Sequence, residues 1–426
     1  MNYIIDGDTI VFIDNFNDNI KFTDFMLKYK KIKFGGQFNQ QITNIPPTFT
    51  HITFGFNFNQ PIDSLHEGLQ YLKLGYEFNY PIDSLPSTLI HLNMESCAKF
   101  NYPIDMLPSS LQYLSLGNAF KQPMDMLPSN LLDLKLCSCY YLPLLNLPES
   151  LKYLRLGYYY DAPNNINKLP NIEFIEVYND DYYNPDKKGF VSNLVSPCIS
   201  PSIKYFSVPN YNKQLELPKN MHYLYLKETT ISYVNTFKSI NYLKIISTKS
   251  PINIKTKVKG LVLLLNSELV SLPDSIDFLI LIFNGDSVKI NKSFKLPPNL
   301  KTLGLYVFPH KDHIKYQHIF EKLLTELPNS IETLGFDYDI FDLALNYNDY
   351  DNDNNNTLSL PSNLKTIYCF DNCYINSRIN TENINIYKHV NTNPLNINTN
   401  NWSAEDEIRS CIMGLIKIFD EYAKKI

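Results

Sequence analysis

Phe38, Phe58, Phe78, Phe100, Phe120 and Tyr140 follow one another at steps of 20, 20, 22, 20 and 20 residues. That period limits the fold more than any other feature of the chain. A unit so short cannot bury its own apolar side chains and must stack on its neighbours as one coil of a solenoid. Within each unit Leu-Pro-x-x-Leu-x-x-Leu-x-Leu recurs: Leu85-Pro86 with Leu89, Leu92 and Met94, then Leu107-Pro108 with Leu111, Leu114 and Leu116. It continues as Leu127-Pro128 with Leu131, Leu134 and Leu136, and Leu147-Pro148 with Leu151, Leu154 and Leu156. The alternation Leu-x-Leu predicts a short strand with its leucines inward. Proline lacks a ladder donor and cannot continue a helix, so Leu-Pro belongs on the return side of the coil.

The elements Phe58-Asn59-Gln60-Pro61-Ile62, Phe78-Asn79-Tyr80-Pro81-Ile82 and Phe100-Asn101-Tyr102-Pro103-Ile104, each about ten residues before Leu-x-x-Leu-x-Leu, resemble the FNIP repeat family. That family is similar to a short class of leucine-rich repeat found mainly in social amoebae and large DNA viruses of amoebae. The resemblance spans Ile32 to Gly157; beyond it only Leu-Pro and Leu-x-Leu persist. It implies a leucine-rich-repeat-like solenoid. One parallel β-sheet is expected on the concave side, extended or turn return segments on the convex side, and a terminal α-helical cap. It also implies, as an alternative role, a substrate-recruiting adaptor of a ubiquitin ligase, with residues 1–29 meeting the ligase core.

Four segments are expected. Residues 1–30 form an amino-terminal cap, in which Tyr3-Ile4-Ile5 and Thr9 to Ile13 make a hairpin around Asp6-Gly7-Asp8, with a short helix over Ile20 to Lys28. Residues 31–160 form the regular array. Residues 161–400 continue it irregularly, with strands expected at Leu243/Ile245, Leu261/Leu263, Leu279/Leu281, Leu303/Leu305, Leu334/Phe336, Ile367/Cys369 and Ile384/Ile386. Three insertions interrupt them: a loop over Tyr178 to Pro201, a helix on the convex side over His310 to Leu324, and a low-complexity Asn/Asp stretch over Asn346 to Asn356. Residues 401–426 predict an amphipathic capping helix, with Ser403 as cap and Ile408, Ile412, Leu415, Phe419 and Tyr422 on one face.

A net charge of −5 does not favour electrostatic binding to nucleic acid. The longest apolar cluster, Phe278 to Phe283, is too short to span a bilayer, and Met1 to Asp14 lacks a basic leader region, so neither membrane association nor secretion is expected. Seven unframed cysteines point to a reducing compartment, read as the cytoplasm, and as host-cell cytoplasm for a viral chain. No phosphate loop or nucleophile elbow is present, and His310, His313 and His318 lack metal-ligand spacing, so no cofactor, metal or catalytic residue is assigned. A parallel β-helix enzyme acting on polysaccharide is the enzymatic alternative, which would require three strands per coil. The leading expectation is a non-enzymatic scaffold for a protein partner.

The candidate partner-binding residues flank the inward leucines. One column holds Tyr71, His91, Tyr113, Tyr153, Tyr205, Tyr223 and Tyr242; its neighbour holds Lys73, Lys135 and Arg155. Tyrosine gives large contact area at low entropic cost, and the same column can equally stabilise the sheet as a cross-strand ladder. Farther on, these columns become apolar at Val262, Leu264, Phe278, Ile280 and Ile282. On an open face that would be a hydrophobic patch, either covered by the chain or met by a partner, and Phe278 and Ile280 join the candidate site.

Overall fold

A computed structural model describes residues 2–137, 139–157, 160, 171–178, 201–208, 216–248, 250–284, 288–307, 316–336, 360–370 and 384–389. The chain divides into two compact units, Met1–Pro218 and Lys219–Ile426. Among the described residues no helix is long and apolar enough to cross a membrane.

The first unit opens with β1 (Tyr3–Asp6) and β2 (Thr9–Phe12), an antiparallel hairpin whose turn uses Gly7 at a φ of 57°. β2 then pairs in parallel with β3 (Lys31–Lys33). The parallel ladder continues through β4 (His51–Thr53), β5 (Tyr71–Lys73), β6 (His91–Asn93), β7 (Tyr113–Ser115), β8 (Asp133–Lys135), β9 (Tyr153–Gly157), β10 (Phe174–Tyr178) and β11 (Tyr205–Val208). Ile52, Leu72, Leu92, Leu114, Leu134 and Leu154 lie in one buried row, as the alternation requires. This unit is a β-solenoid with one parallel strand per coil.

The repeated residues each perform one step of the coil. After the strand the backbone turns so that the Phe78 N–H donates to the Gly75 carbonyl at 3.3 Å, and Phe38, Phe120, Tyr140 and Tyr160 repeat that bond. The turn delivers an aromatic ring to the core. Phe38, Phe58, Phe78, Phe100, Phe120, Tyr140 and Tyr160 stack with centroids 6.1–6.3 Å apart. The asparagine after the ring satisfies the next coil. Oδ1 of Asn17, Asn39 and Asn59 accepts from the backbone N–H of Asn39, Asn59 and Asn79, and Asn101 does the same for Lys121. The Leu-Pro turn then closes the coil, with the Leu89 N–H donating to the Pro86 carbonyl and Leu111, Leu131 and Leu151 repeating it. The helix expected over Ile20 to Lys28 is reduced to a 3-10 turn at Met26–Lys28, where Phe25 occupies the cap position and offers no side-chain hydrogen bond.

The second unit contains β12 (Asn220–Thr229), α1 (Ile231–Val234), β13 (Ser239–Thr248), β14 (Ile252–Asn253), β15 (Lys257–Leu265) and β16 (Glu268–Ser271). There follow β17 (Phe278–Phe283), β18 (Lys289–Ile290), β19 (Thr302–Val307), α2 (Gln317–Thr325), β20 (Thr333–Phe336), β21 (Thr366–Phe370) and β22 (Asn385–His389). β12, β13, β15, β17, β19, β20, β21 and β22 pair successively in parallel. The Leu-Pro turn persists: Leu300 donates to Pro297, Ile331 to Pro328 and Leu364 to Pro361.

Two expectations need correction here. One parallel sheet was expected, but the extended segments β14, β16 and β18 that return between the main strands pair into a second, three-stranded parallel sheet. The last strand lies two residues later than expected: Ile386 stands opposite Ile367, and Lys388, not Ile386, opposite Cys369. The helix expected over His310 to Leu324 is present in part as α2. Its Phe320 ring meets Phe283 edge-on at 4.9 Å, and Lys322 Nζ donates to the carbonyls of Asn291 and Lys292. Residues 179–200, His310, His313, Asn346 to Asn356, Cys373 and the expected helix over 402–426 lie outside the described residues.

Candidate interaction face

A three-residue strand in a coil has one side chain inward and two outward. The outward positions of β3 to β9 therefore form two columns in exact register, copied from coil to coil by the parallel ladder. The first column reads Lys31, His51, Tyr71, His91, Tyr113, Asp133 and Tyr153. Its centre is a stack of rings: His51 to Tyr71 at 5.6 Å, Tyr71 to His91 at 4.7 Å and His91 to Tyr113 at 5.3 Å. All four rings keep part of their surface in solvent. The candidate residues Tyr71, His91 and Tyr113 are thus brought together, with Lys73 in the adjoining column.

The charges along the face are unevenly compensated. Arg155 donates to both carboxylate oxygens of Asp133 at 2.6 and 2.5 Å and lies 3.7 Å from Glu176. Lys135 reaches Glu95 at 2.5 Å. Glu95 stands where the 22-residue coil carries its two extra residues, and the reach spans two coils. Lys31 pairs with Asp8 at 3.0 Å. Lys33 and Lys73 have no ion-pair partner among the described residues. Asp133 stands in the first column itself and was legible from the repeat, whereas Glu95 comes from the insertion and Asp8 from the hairpin turn, where the repeat gives no position.

Burial holds the His51 imidazole below its ordinary pKa, assisted by the Lys31 charge. Burial also lowers His91, opposed by the Asp133 carboxylate. Both rings are therefore neutral at pH 7, and the face presents neutral stacked rings beside exposed ammonium groups. Burial pushes the Tyr71 hydroxyl up, opposed by its hydrogen bond with Asn93.

The other candidate residues are placed differently. Tyr153 remains half-buried beside Phe174, but Tyr205, whose ring stacks on Phe174 at 3.9 Å, is buried. In the second unit Tyr223 and Tyr242 are neighbours in register and both are buried. Val262, Leu264, Phe278, Ile280 and Ile282 are buried within the chain as well, so the apolar columns form no open hydrophobic patch. Both faces of β17, and of β15 from Leu261 to Leu265, are apolar and buried, in the manner of central strands of a two-sided core. Among the described residues no group of three or more His, Cys, Asp or Glu side chains is placed to hold a metal ion.

A solved structure, described as that of CroV588, a novel circular LRR protein, is similar at 21% identity and a TM-score of 0.46. The match covers 88% of this chain and 65% of that one, so the chain spans just under two thirds of that protein's length. No curated protein matches the chain. The family model described as FNIP Repeat matches residues 58–97 and 100–139. The coils that carry Tyr71, His91 and Tyr113 are therefore FNIP repeats.

Proposed function

We propose that the chain is a non-enzymatic scaffold that binds a protein partner on the outward strand face of its first unit. The observation that carries this reading is the partly exposed stack of Tyr71, His91 and Tyr113 beside the uncompensated Lys73. Aromatic rings flanked by basic side chains supply contact area and orientation without requiring the face to rearrange. The core rings supply a second support. They repeat at 6.1–6.3 Å, whereas hydrogen-bonded strands repeat at about 4.8 Å. Coils that are wider on the return side than at the strands favour a concave strand face. The amino-terminal hairpin supports the scaffold reading over the ligase-adaptor one, since β2 joins the same ladder as β3 and is part of the stack.

The test is affinity capture from a lysate of the native cell, using the wild type beside a variant carrying Tyr71→Ser, Tyr113→Ser and Tyr153→Ser, with circular dichroism to verify the fold. Loss of the captured protein by the folded variant is expected. Retention of the same protein at the same yield by that variant would refute the assignment of the face.

A further inference from the structure

The turn after each strand carries a column of residues that the strand face does not include. The Gln37 N–H donates to the Asp14 carbonyl at 2.9 Å, Asn57 to Gly36 at 2.8 Å and Glu77 to Phe56 at 3.0 Å. Asp14, Gly36, Phe56 and Tyr76 therefore hold equivalent places in four successive coils. Phe56 and Tyr76 stack there with centroids 4.6 Å apart and planes 6° from parallel, yet remain 54% and 42% exposed. Tyr76 covers one face of the Phe56 ring. The other face looks back over Gly36, which puts no side chain in its way.

The coil itself does not demand a glycine at position 36. A Cβ at Gly35, Gly55 or Gly75 would run into a backbone carbonyl of the preceding coil. A Cβ at Gly36 would first meet the Asp14 carboxylate, 2.7 Å away, which is the movable end of a side chain, and its φ is not left-handed. What this glycine provides is a slot against the Phe56 ring, about 4.8 Å high, the rise of one coil. Asp14 Oδ1 accepts from the Gly36 N–H at 2.7 Å, which fixes the carboxylate at the edge of the slot. That carboxylate has no ion-pair partner among the described residues.

We propose that this slot takes the guanidinium group of an arginine side chain from a protein partner. An aromatic face and an unpaired carboxylate together select a cation, and a slot one coil high selects a flat one. Guanidinium lies flat on a ring and offers parallel N–H groups to a carboxylate, whereas an ammonium group is compact and strongly hydrated. Tyr76, stacked behind Phe56, holds the ring in place before the ligand arrives. The slot lies at the turn, outside the two outward columns of the strands, so it does not depend on the strand face being the working surface.

Saturation-transfer NMR of the blocked peptide acetyl-Gly-Arg-Gly-amide with the full chain tests the proposal, beside the same peptide with lysine in place of arginine. The expected result is transfer to the arginine side-chain protons, and about fivefold less to those of lysine. Asp14→Asn keeps the acceptor for the Gly36 N–H while removing the charge, and Gly36→Leu fills the slot. Each should lower the transfer about fivefold, with circular dichroism melts to verify that both variants fold. No transfer from the wild type, or equal transfer to the two peptides, would overturn the proposal. So would transfer that persists undiminished in either folded variant.

Discussion

At Gly55, Gly75 and Gly117 the turn after each strand brings the backbone against the carbonyl of the preceding coil. A Cβ at Gly75 would overlap the Gly55 carbonyl oxygen, and one at Gly117 the Cys97 carbonyl oxygen, both rigid backbone atoms. Gly75→Ala must therefore separate two coils or bend the turn, and is expected to cost about 2–4 kcal/mol in urea unfolding. Gly68→Ala has open space, with its nearest neighbour 3.8 Å away, but a φ of 105°; its cost should stay near about 1 kcal/mol. The thiols divide in the same local way. Burial pushes the Cys97 thiol up to about 12, and Cys137 is also buried, whereas Cys139 is exposed. Iodoacetamide labelling followed by peptide mapping should modify Cys139 while Cys97 and Cys137 stay unmodified in the folded chain.

Between neighbouring coils the ladders carry both register and pH dependence. In the second unit Lys259, inside β15, and Asp277, Lys301, Glu332 and Lys365, each just before its strand, hold one register position in consecutive coils, and their signs alternate. Slippage by one coil's register would break that alternation. Asp277 nevertheless has its pKa raised, because burial outweighs the attraction of Lys259 and Lys301. A carboxyl whose folded pKa lies above its unfolded one costs stability when ionised and ceases to do so as pH falls through the folded value. Asp277→Asn should therefore raise the melting temperature at pH 7, with the gain disappearing well below pH 3.8. His51 and His91 behave differently, since burial lowers both below 6.5. As pH falls past 6.5 the unfolded chain takes up protons before the folded one, so stability declines toward acid. Thermal melts at about pH 7.5 and about pH 5.5 should show a smaller acid loss in a variant carrying His51→Gln and His91→Gln.

The elements of the first unit were legible because one inward residue per three-residue strand, a fixed turn and a Leu-Pro closure repeat with little change. The columns from His51 through Tyr153 follow directly from that alternation. In the second unit β17 and the Leu261–Leu265 part of β15 bury both faces, which erases period two, and Val262 and Ile280 then look like an open patch when they are core. The second sheet was illegible for a different reason: β14 and β18 are two residues long, and Ile252 or Ile290 alone has no period.

At the scale of the molecule, the aromatic ladder, the asparagine ladder and the sheet each bond a coil mainly to its neighbours, so the first unit gains stability by addition of coils. The working surface we propose is the strand face, whose chemistry suits a protein: neutral stacked rings, two uncompensated lysines, and acidic side chains already held by Lys135 and Arg155. Period and pattern specify where such a face lies, but partner identity depends on surface side chains that the repeat leaves free to vary. The most direct measurement is photo-crosslinking in the native-cell lysate with p-benzoylphenylalanine placed at Tyr71 on the strand face or at Tyr102 beside the core aromatic ladder. A covalent protein adduct at position 71 and none at position 102 is the predicted result. Adducts at 102 with none at 71 would contradict the assignment of the strand face as the working surface.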